Sequence, residues 1–486
     1  MVKNRILASL MILALTAGVM LSGCGKATET SKSPADTTTA QATESTTAAT
    51  VTETQKVKLV YMTTHKPDKL KAILDRYKEK RPDVEIETIE LVQGTTAASS
   101  DQVIAKFDAT IATGTVVDVF DGGAGGTGII RPRAMNGTLL PMDEYIKSEG
   151  MNMDELFPKG SAYTCTFGEP AQWYTLPLTK QVYPVFYNKD MFKAANLAEP
   201  TAEWTLDDLR QYAAKLTTGE GVNKVFGAWI PVDWGWFVGV PCQVAGWEAY
   251  VEKDGKKVPN FDSPYLKKTM QIYYDMSMVD LSNPTAAEIT LNKLNMNEYF
   301  AEGKTAMIVG NAWALGDLQK ARAMGKLNFE MGVAPLPRVD ETVPMDVSAS
   351  EIGLGYAIPQ TSANPAEAFK FIKFVTLECA DILRELPASN KVDEKTVMGF
   401  LGTYIDENGK KYENLFKKEE MEGFFENRTG MKIYYKMKED AFVGPLWGVL
   451  HDETGKVMTD AEKIDDAIRN MMERGVQEID KVAAGK

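Results

Sequence analysis

From Val57 the chain alternates short apolar runs of strand character with longer stretches of helical period, and this alternation restricts the fold more than any other feature. Val57-Lys58-Leu59-Val60-Tyr61-Met62 reads as a strand. Leu70, Ile73, Leu74 and Tyr77 recur at helical spacing until Arg81-Pro82 stops them. Val84 and Ile86 alternate with Glu85 and Glu87, as in a half-buried strand, and Val103, Ile104, Phe107 and Ile111 mark a second helix ending at Gly114. Val116 to Phe120 is an apolar run suited to a strand covered on both faces. A βαβαβ order implies a mostly parallel sheet flanked by helices.

Further on, the signals are mostly local. The segment after Gly137 predicts a short surface helix, and Val182 to Tyr187 another strand, with Asn188 turning the chain into a helix. Thr205 and Asp208 form a capping-box pattern ahead of Leu206, Leu209, Ala213 and Leu216, and Trp204 precedes it as a staple residue packing on Leu209. Lys253-Asp254-Gly255-Lys256 reads as a hairpin tip. Ile352 to Ile358 reads as one strand punctuated by glycine. Asn364-Pro365-Ala366-Glu367 carries cap, first-turn proline and capping-box acid, and Thr459 with Glu462 does the same for the last helix. Residues 391–438 are charged and weakly patterned, with a hairpin tip at Asn408-Gly409.

The segment from Val225 to Trp247 stands apart. It holds Trp229, Trp234, Trp236 and Trp247, four of the chain's eight tryptophans, interrupted by Gly235, Gly239 and Gly246. Either these rings fill a core, or loops present some of them as flat faces on which a sugar can stack.

The N-terminus is of another kind. Lys3 and Arg5 precede an apolar run from Ile6 to Leu21, then Leu21-Ser22-Gly23-Cys24. Basic, apolar and small residues in this order form a secretory signal. The small residues before the cysteine resemble the lipobox of bacterial lipoproteins, which implies cleavage before Cys24 and a diacylglyceryl group on its sulfur. Lys26 to Gln55 is almost wholly Thr, Ala, Ser, Glu, Lys and Asp, too polar to build a core, and is expected to be a tether. About 430 residues remain, enough for two domains. A net charge of −13 argues against nucleic acid and against electrostatic adhesion to membranes. Cys165, Cys242 and Cys379 are too few for a disulfide framework and are expected to be small buried apolar residues.

The reactive motifs fail one by one. Gly303-Lys304-Thr305 lacks the upstream glycine of a phosphate loop (Glu298 stands there), and its strand follows instead of preceding. Gly123 to Gly128 matches GxGxxG, but it follows the third strand, and Arg131-Pro132-Arg133 is expected to break the helix that a dinucleotide site needs. His65 and His451 are the only histidines, so metal or Ser-His chemistry has little to work with, and no paired carboxylates stand out. No cofactor and no metal are expected.

Five short motifs in order then carry a resemblance. They are Leu176-Pro177-Leu178 with Val185-Phe186-Tyr187-Asn188-Lys189-Asp190; Trp204 to Leu209; Phe300-Ala301-Glu302-Gly303-Lys304-Thr305-Ala306-Met307 with Trp313; Val333 to Pro337; and Ala357-Ile358-Pro359 with Asn364 to Ala368 and Phe371 to Phe374. This series resembles the family 1 extracellular solute-binding proteins of ABC importers, relatives of maltose-binding protein, over most of residues 57–486. The resemblance implies a two-lobed α/β fold of the periplasmic-binding-protein type (type II), with an interlobe cleft and multiple chain crossings. It divides the chain into a signal peptide at 1–23, a lipidated Cys24 and tether at 24–56, an N-lobe at 57–181 and 341–385, and a C-lobe at 182–340 and 386–486. It implies ligand contacts at His65 and Asp121 on the N-lobe edge and at Gln181 and Tyr183 at the first crossing. Trp234, Trp236 and Trp313 are implied on C-lobe loops, and Trp447 in the final loop. The function implied is binding of a carbohydrate and its delivery to an ABC permease, by a monomer held to the membrane only by lipid and touching no nucleic acid. A secreted glycoside hydrolase with an aromatic cleft, or a receptor for a peptide, polyamine or metal chelate, remain the alternatives.

Overall fold

The computed structural model describes residues 56–91, 100–122, 126–158, 160–232, 235–310, 312–344, 347–348, 350–406, 408–429, 432–433 and 441–484. At a few of these positions, Gln181 and Trp313 among them, the description excludes the side chain. Cys24 and the signal and tether segments lie outside the described residues.

The predicted βαβαβ start is present. Strands β1 (Val57–Thr63), β2 (Val84–Glu90) and β3 (Val119–Asp121) pair in parallel, with β1 between the other two. The strand Tyr356–Pro359 returns much later and inserts antiparallel between β3 and β4 (Leu139–Leu140), completing a five-stranded sheet. The third strand starts later than the apolar run suggests, because Val116 is exposed while Val117 is buried. Leu59, Tyr61 and Met62 are fully buried, as expected for a sheet covered on both faces. On one face, Tyr77 of the helix Pro67–Lys80 meets Phe371 and Phe374 of the helix Pro365–Glu378 at ring-centroid distances of 4.9 and 5.0 Å.

The start of Pro365–Glu378 corrects the capping-box expectation. The Asn364 side chain makes no cap bond and instead donates to the Lys58 carbonyl. Glu367 turns away to accept from the Tyr77 hydroxyl and pair with Arg81. Buried Asp118 supplies the cap. Its Oδ1 accepts from the Ser362 hydroxyl (2.7 Å) and the Ala363 and Asn364 N–H groups (2.9 and 3.0 Å), and its Oδ2 accepts from Val60 N–H (2.8 Å). One carboxylate thus ties β1 to the helix N-terminus, where a negative charge is favoured.

A second, antiparallel sheet is centred on Val185–Asn188, flanked by Met307–Val309 and Met331–Ala334. Gly332 sits opposite Tyr187 in this pairing, and a Cβ there would come within 2.1 Å of the ring. The Thr205–Asp208 capping box forms, and Trp204 is buried in the same core as Leu209, with its indole N–H on the Pro335 carbonyl. Residues 394–401 and 418–429, in the weakly patterned region, are helices that bury Val397, Phe400, Leu401, Met421 and Phe424 in this half of the protein.

Adjacent segments join the two sheets. Pro177–Val182 runs antiparallel to Ser350–Leu354, from Val182↔Ser350 to Pro177↔Leu354, with an irregularity at Gly353/Leu354. Residues 386–388 lie on the other edge, through Lys180 N–H to the Leu386 carbonyl and Ala388 N–H to the Leu178 carbonyl. The expected single strand from Ile352 to Ile358 is therefore two, parted at Gly355, whose N–H bonds the Leu176 carbonyl.

Two other expectations fail. The helix Gly126–Met135 runs through Pro132, so Arg131-Pro132-Arg133 does not break it. Thr459 closes the helix Val443–Met458 and does not open Ile464–Ala483, whose cap position is Lys463. Cys165, Cys242 and Cys379 are buried free thiols, as predicted.

Candidate ligand site

The parallel register brings the carboxyl ends of β1 and β3 to one sheet edge, where α/β folds hold ligands. There Asp121 Oδ2 accepts from the Thr64 N–H (3.1 Å) and hydroxyl (2.7 Å), and the Thr63 hydroxyl accepts from the His65 N–H (3.0 Å). The turn 63–65 is thereby fixed. His65 Nε2 lies 2.6 Å from the Tyr356 hydroxyl and 3.9 Å from Asp121 Oδ2. The side chain of Asp121 is only 5% exposed and that of His65 15%, and the carboxylate lies beyond hydrogen-bond distance of Nε2, holding the turn through Thr64. Tyr356, paired with Asp121 across the strands, is fully buried. Burial, with Tyr61 and Asp121 nearby, pushes its hydroxyl well above the usual tyrosine range, so it stays protonated.

A second group forms where the chain leaves the crossing strand. Tyr183 meets Trp236 edge-on at 5.8 Å, and Trp236 is tilted against Trp447 at 5.3 Å. Trp447 in turn stands edge-on to Trp247 at 6.1 Å. Tyr183, Trp236 and Trp447 are each half-buried, whereas Trp247 and Trp229 are core, with the Trp247 indole N–H on the Asn260 carbonyl. The tryptophan-rich segment thus divides between core and surface.

The setting of these rings differs from the expected loops. Trp236 is the second residue of the helix Gly235–Val244, and Trp447 lies within the helix Val443–Met458, not in a final loop. The two helices approach closely because the first carries glycines at the contact. A Cβ on Gly235 would meet the His451 backbone at 2.6 Å, and one on Gly239 the Trp447 ring at 2.4 Å. Trp313 likewise opens a helix, Ala312–Ala323, instead of a loop. Trp234 lies outside the described residues, and of Gln181 only the backbone is described, paired with Glu351 in the crossing ribbon. Tyr356 escaped the sequence reading because it looks like one more apolar residue of a strand. Its one local signal is its place directly after the Gly355 break.

Among the described residues no three His, Cys, Asp or Glu side chains converge as a metal site. No described helix is long and apolar enough to cross a membrane.

An α/β protein with two principal sheets, with adjacent strands crossing between its halves and aromatic and polar groups beside the crossing, has the form of a two-lobed binding protein. The profile described as bacterial extracellular solute-binding protein matches residues 63–379, and the chain belongs to that family, whose members work outside the cytoplasm. Among solved structures, a sugar transporter protein from Rhizobium etli in an open conformation superposes with a TM-score of 0.64 at 21% identity, over 86% of this chain and 99% of that one. An ABC substrate-binding protein from Listeria monocytogenes, in complex with cycloalternan, gives 0.63 at 18% identity, over 87% and 98%. A binding protein of Brucella abortus is 24% identical over 285 residues, 57% of this chain and 62% of that protein's own length.

Proposed function

We propose that this protein is a lipid-anchored extracytoplasmic receptor that binds a sugar or oligosaccharide between its lobes and delivers it to an ABC import permease. The observation that carries this reading is the half-buried row Tyr183–Trp236–Trp447 at the end of the crossing strand. Flat rings backed by core and open on one side suit the apolar face of a sugar, and the His65–Asp121 edge supplies hydrogen-bonding groups. Residues 57–181 with 341–385, and 182–340 with 386–486, are the two lobes. Gln181, Trp234 and Trp313 complete the contacts. Solute that touches both lobes favours the closed state by its higher affinity for it. The protein acts by binding alone, as a monomer, and no bond is broken. Cys24 carries the lipid after removal of residues 1–23, and 24–56 form the tether.

Titration calorimetry with a panel of mono- and oligosaccharides tests the ligand class. At least one glycan should bind, and Trp236→Ala should weaken it about tenfold or more, the scale of a lost stacking contact. Tight binding of a peptide or polyamine with no sugar bound would overturn it. Mass spectrometry of the membrane-extracted protein tests the anchor, and an unmodified Cys24 would sink that part.

A further inference from the structure

We propose that Lys257 is a positioning residue that clamps Phe442 at the start of the helix Val443–Met458 and so keeps the Trp447 ring in place beside Trp236. The first turn of this helix is weakly made from within. Phe442, at the cap position, supplies no side-chain cap bond. Gly444 is exposed, with nothing within 4 Å of a Cβ there, and glycine is a poor helix former. Pro445 has no N–H to give, and the Leu446 N–H reaches the Phe442 carbonyl only at a long 3.3 Å. In helical geometry the Trp447 N–H bonds the Val443 carbonyl, inside that same turn, so fraying at Phe442 reaches the aromatic row directly.

Phe442 is held from outside the helix. The strands Tyr250–Lys253 and Lys256–Pro259 form a hairpin in which Lys257 stands opposite Glu252. The Lys257 ammonium lies 4.9 Å from the centre of the Phe442 ring and 4.6 Å from that of the Tyr250 ring. It donates to the Tyr250 hydroxyl (3.3 Å) and pairs with Glu252 (3.3 Å), so a hydroxyl and a carboxylate aim it. The two rings meet at 6.1 Å, and Tyr250 is a fixed backing, buried in the same core on which Phe442 and Trp447 pack. The Lys257 side chain is 24% exposed, and a partly desolvated cation attracts an aromatic face more strongly than one in open water.

The test compares Lys257→Met, which keeps an apolar stem and removes the charge, with Lys257→Arg, which keeps a cation able to stack on the ring. Both are measured without ligand, by amide hydrogen exchange and by fluorine NMR of fluorotryptophan-labelled protein, the Trp447 signal being assigned by its loss in Trp447→Phe. In Lys257→Met the Leu446 amide should exchange about three- to tenfold faster, and the Trp447 signal should move or broaden. In Lys257→Arg both should stay as in the unaltered protein. No change in Lys257→Met, or an equal change in Lys257→Arg, overturns the proposal. The consequence for binding rests on the receptor reading: Lys257→Met should weaken the bound glycan about threefold or more, and Lys257→Arg should not. Unchanged affinity beside a displaced Trp447 ring overturns that consequence. Failure of the unaltered protein to bind any sugar overturns the receptor reading alone, since the place of the ring is read without ligand.

Discussion

Four of the five glycines on the two helices behind the aromatic row offer one substitution with different outcomes. Gly235→Ala places its methyl 2.6 Å from His451 Cα and 2.8 Å from His451 N, both backbone atoms. Relief requires the helices to part, which also stretches the Gly235 N–H bond to His451 Nδ1. Overpacking costs about 3 kcal/mol at the upper end, the hydrogen bond adds about 1, and the helix preference of alanine, about 1 in a helix interior, returns about half of that at this first helical position. The net loss is about 3.5 kcal/mol. Gly239→Ala meets only the Trp447 ring, at 2.4 and 2.6 Å. The ring can move, though not toward Trp247, which is held on the Asn260 carbonyl, so it tilts toward Trp236. Its overpacking cost of about 1–2 kcal/mol is half cancelled by the full helix term, leaving a loss of about 1 kcal/mol or less. Gly448, exposed with nothing within 4 Å, should gain about 0.5–1 kcal/mol on becoming alanine, and Gly444, equally open but in the first turn, should gain less. Urea unfolding followed by tryptophan fluorescence and circular dichroism measures the series. The reasoning fails if Gly235→Ala is no less stable than Gly239→Ala, or if Gly448→Ala destabilises. On the receptor reading, Gly239→Ala should lose sugar affinity out of proportion to its small loss of stability.

Other consequences can be read from particular groups. Asp118→Ala removes the acceptor of four donors near β1 and the helix Pro365–Glu378, of which the Asn364 N–H keeps a long bond to Ser362 Oγ (3.3 Å), and should cost about 3–4 kcal/mol in thermal unfolding. Faster hydrogen exchange at Ala363 and Asn364 should accompany it. Burial and the neighbouring Glu453 carboxylate hold Glu462 above the usual glutamate range. A carboxyl raised in the folded state is free of penalty below its unfolded pKa and loses stability as pH rises through its folded one. Glu462→Gln should therefore raise the thermal midpoint at neutral pH, with the advantage vanishing as pH falls below the glutamate range. A pH-independent difference would refute this. Burial pushes the Cys242 and Cys379 thiols up to about 12, and Cys165 is buried as well. A thiol reagent should therefore find none of these three thiols reacting fast until denaturant is added, and then all three.

What the sequence made legible was local. The alternation after Val57, the Thr205–Asp208 box and the Asp254-Gly255 turn each depend on neighbours within a few residues, and each is present. The failures are where a distant partner outbid a local one. Asn364 and Glu367 had a cap of their own, but Asp118, from the third strand's approach, offered a buried carboxylate already held by Val60. Thr459 is overruled locally instead, closing the helix before the last one where the chain turns at Asp460 with a positive φ of 58°. The helices at 394–401 and 418–429 were hidden because charged residues surround a narrow apolar stripe, whose partners, such as Phe186 and Leu318, come from far earlier in the chain.

The tryptophan-rich segment shows the same limit at the site itself. Its composition told that some rings had more to do than fill a core, but not which. That choice is made by the helix Val443–Met458, some two hundred residues later, which covers the segment from one side. Gly235 and Gly239, read in sequence as breaks in a loop, are instead the places where that helix comes into contact, and they let Trp447 slide in beside Trp236. Trp229 and Trp247 are claimed by partners of their own, Tyr299 and Phe261. Trp236 is left with one face on Trp447, one edge on Tyr183 and the rest half-exposed, and glycines that interrupt the tryptophans in sequence are what let the two helices meet behind the proposed sugar platform.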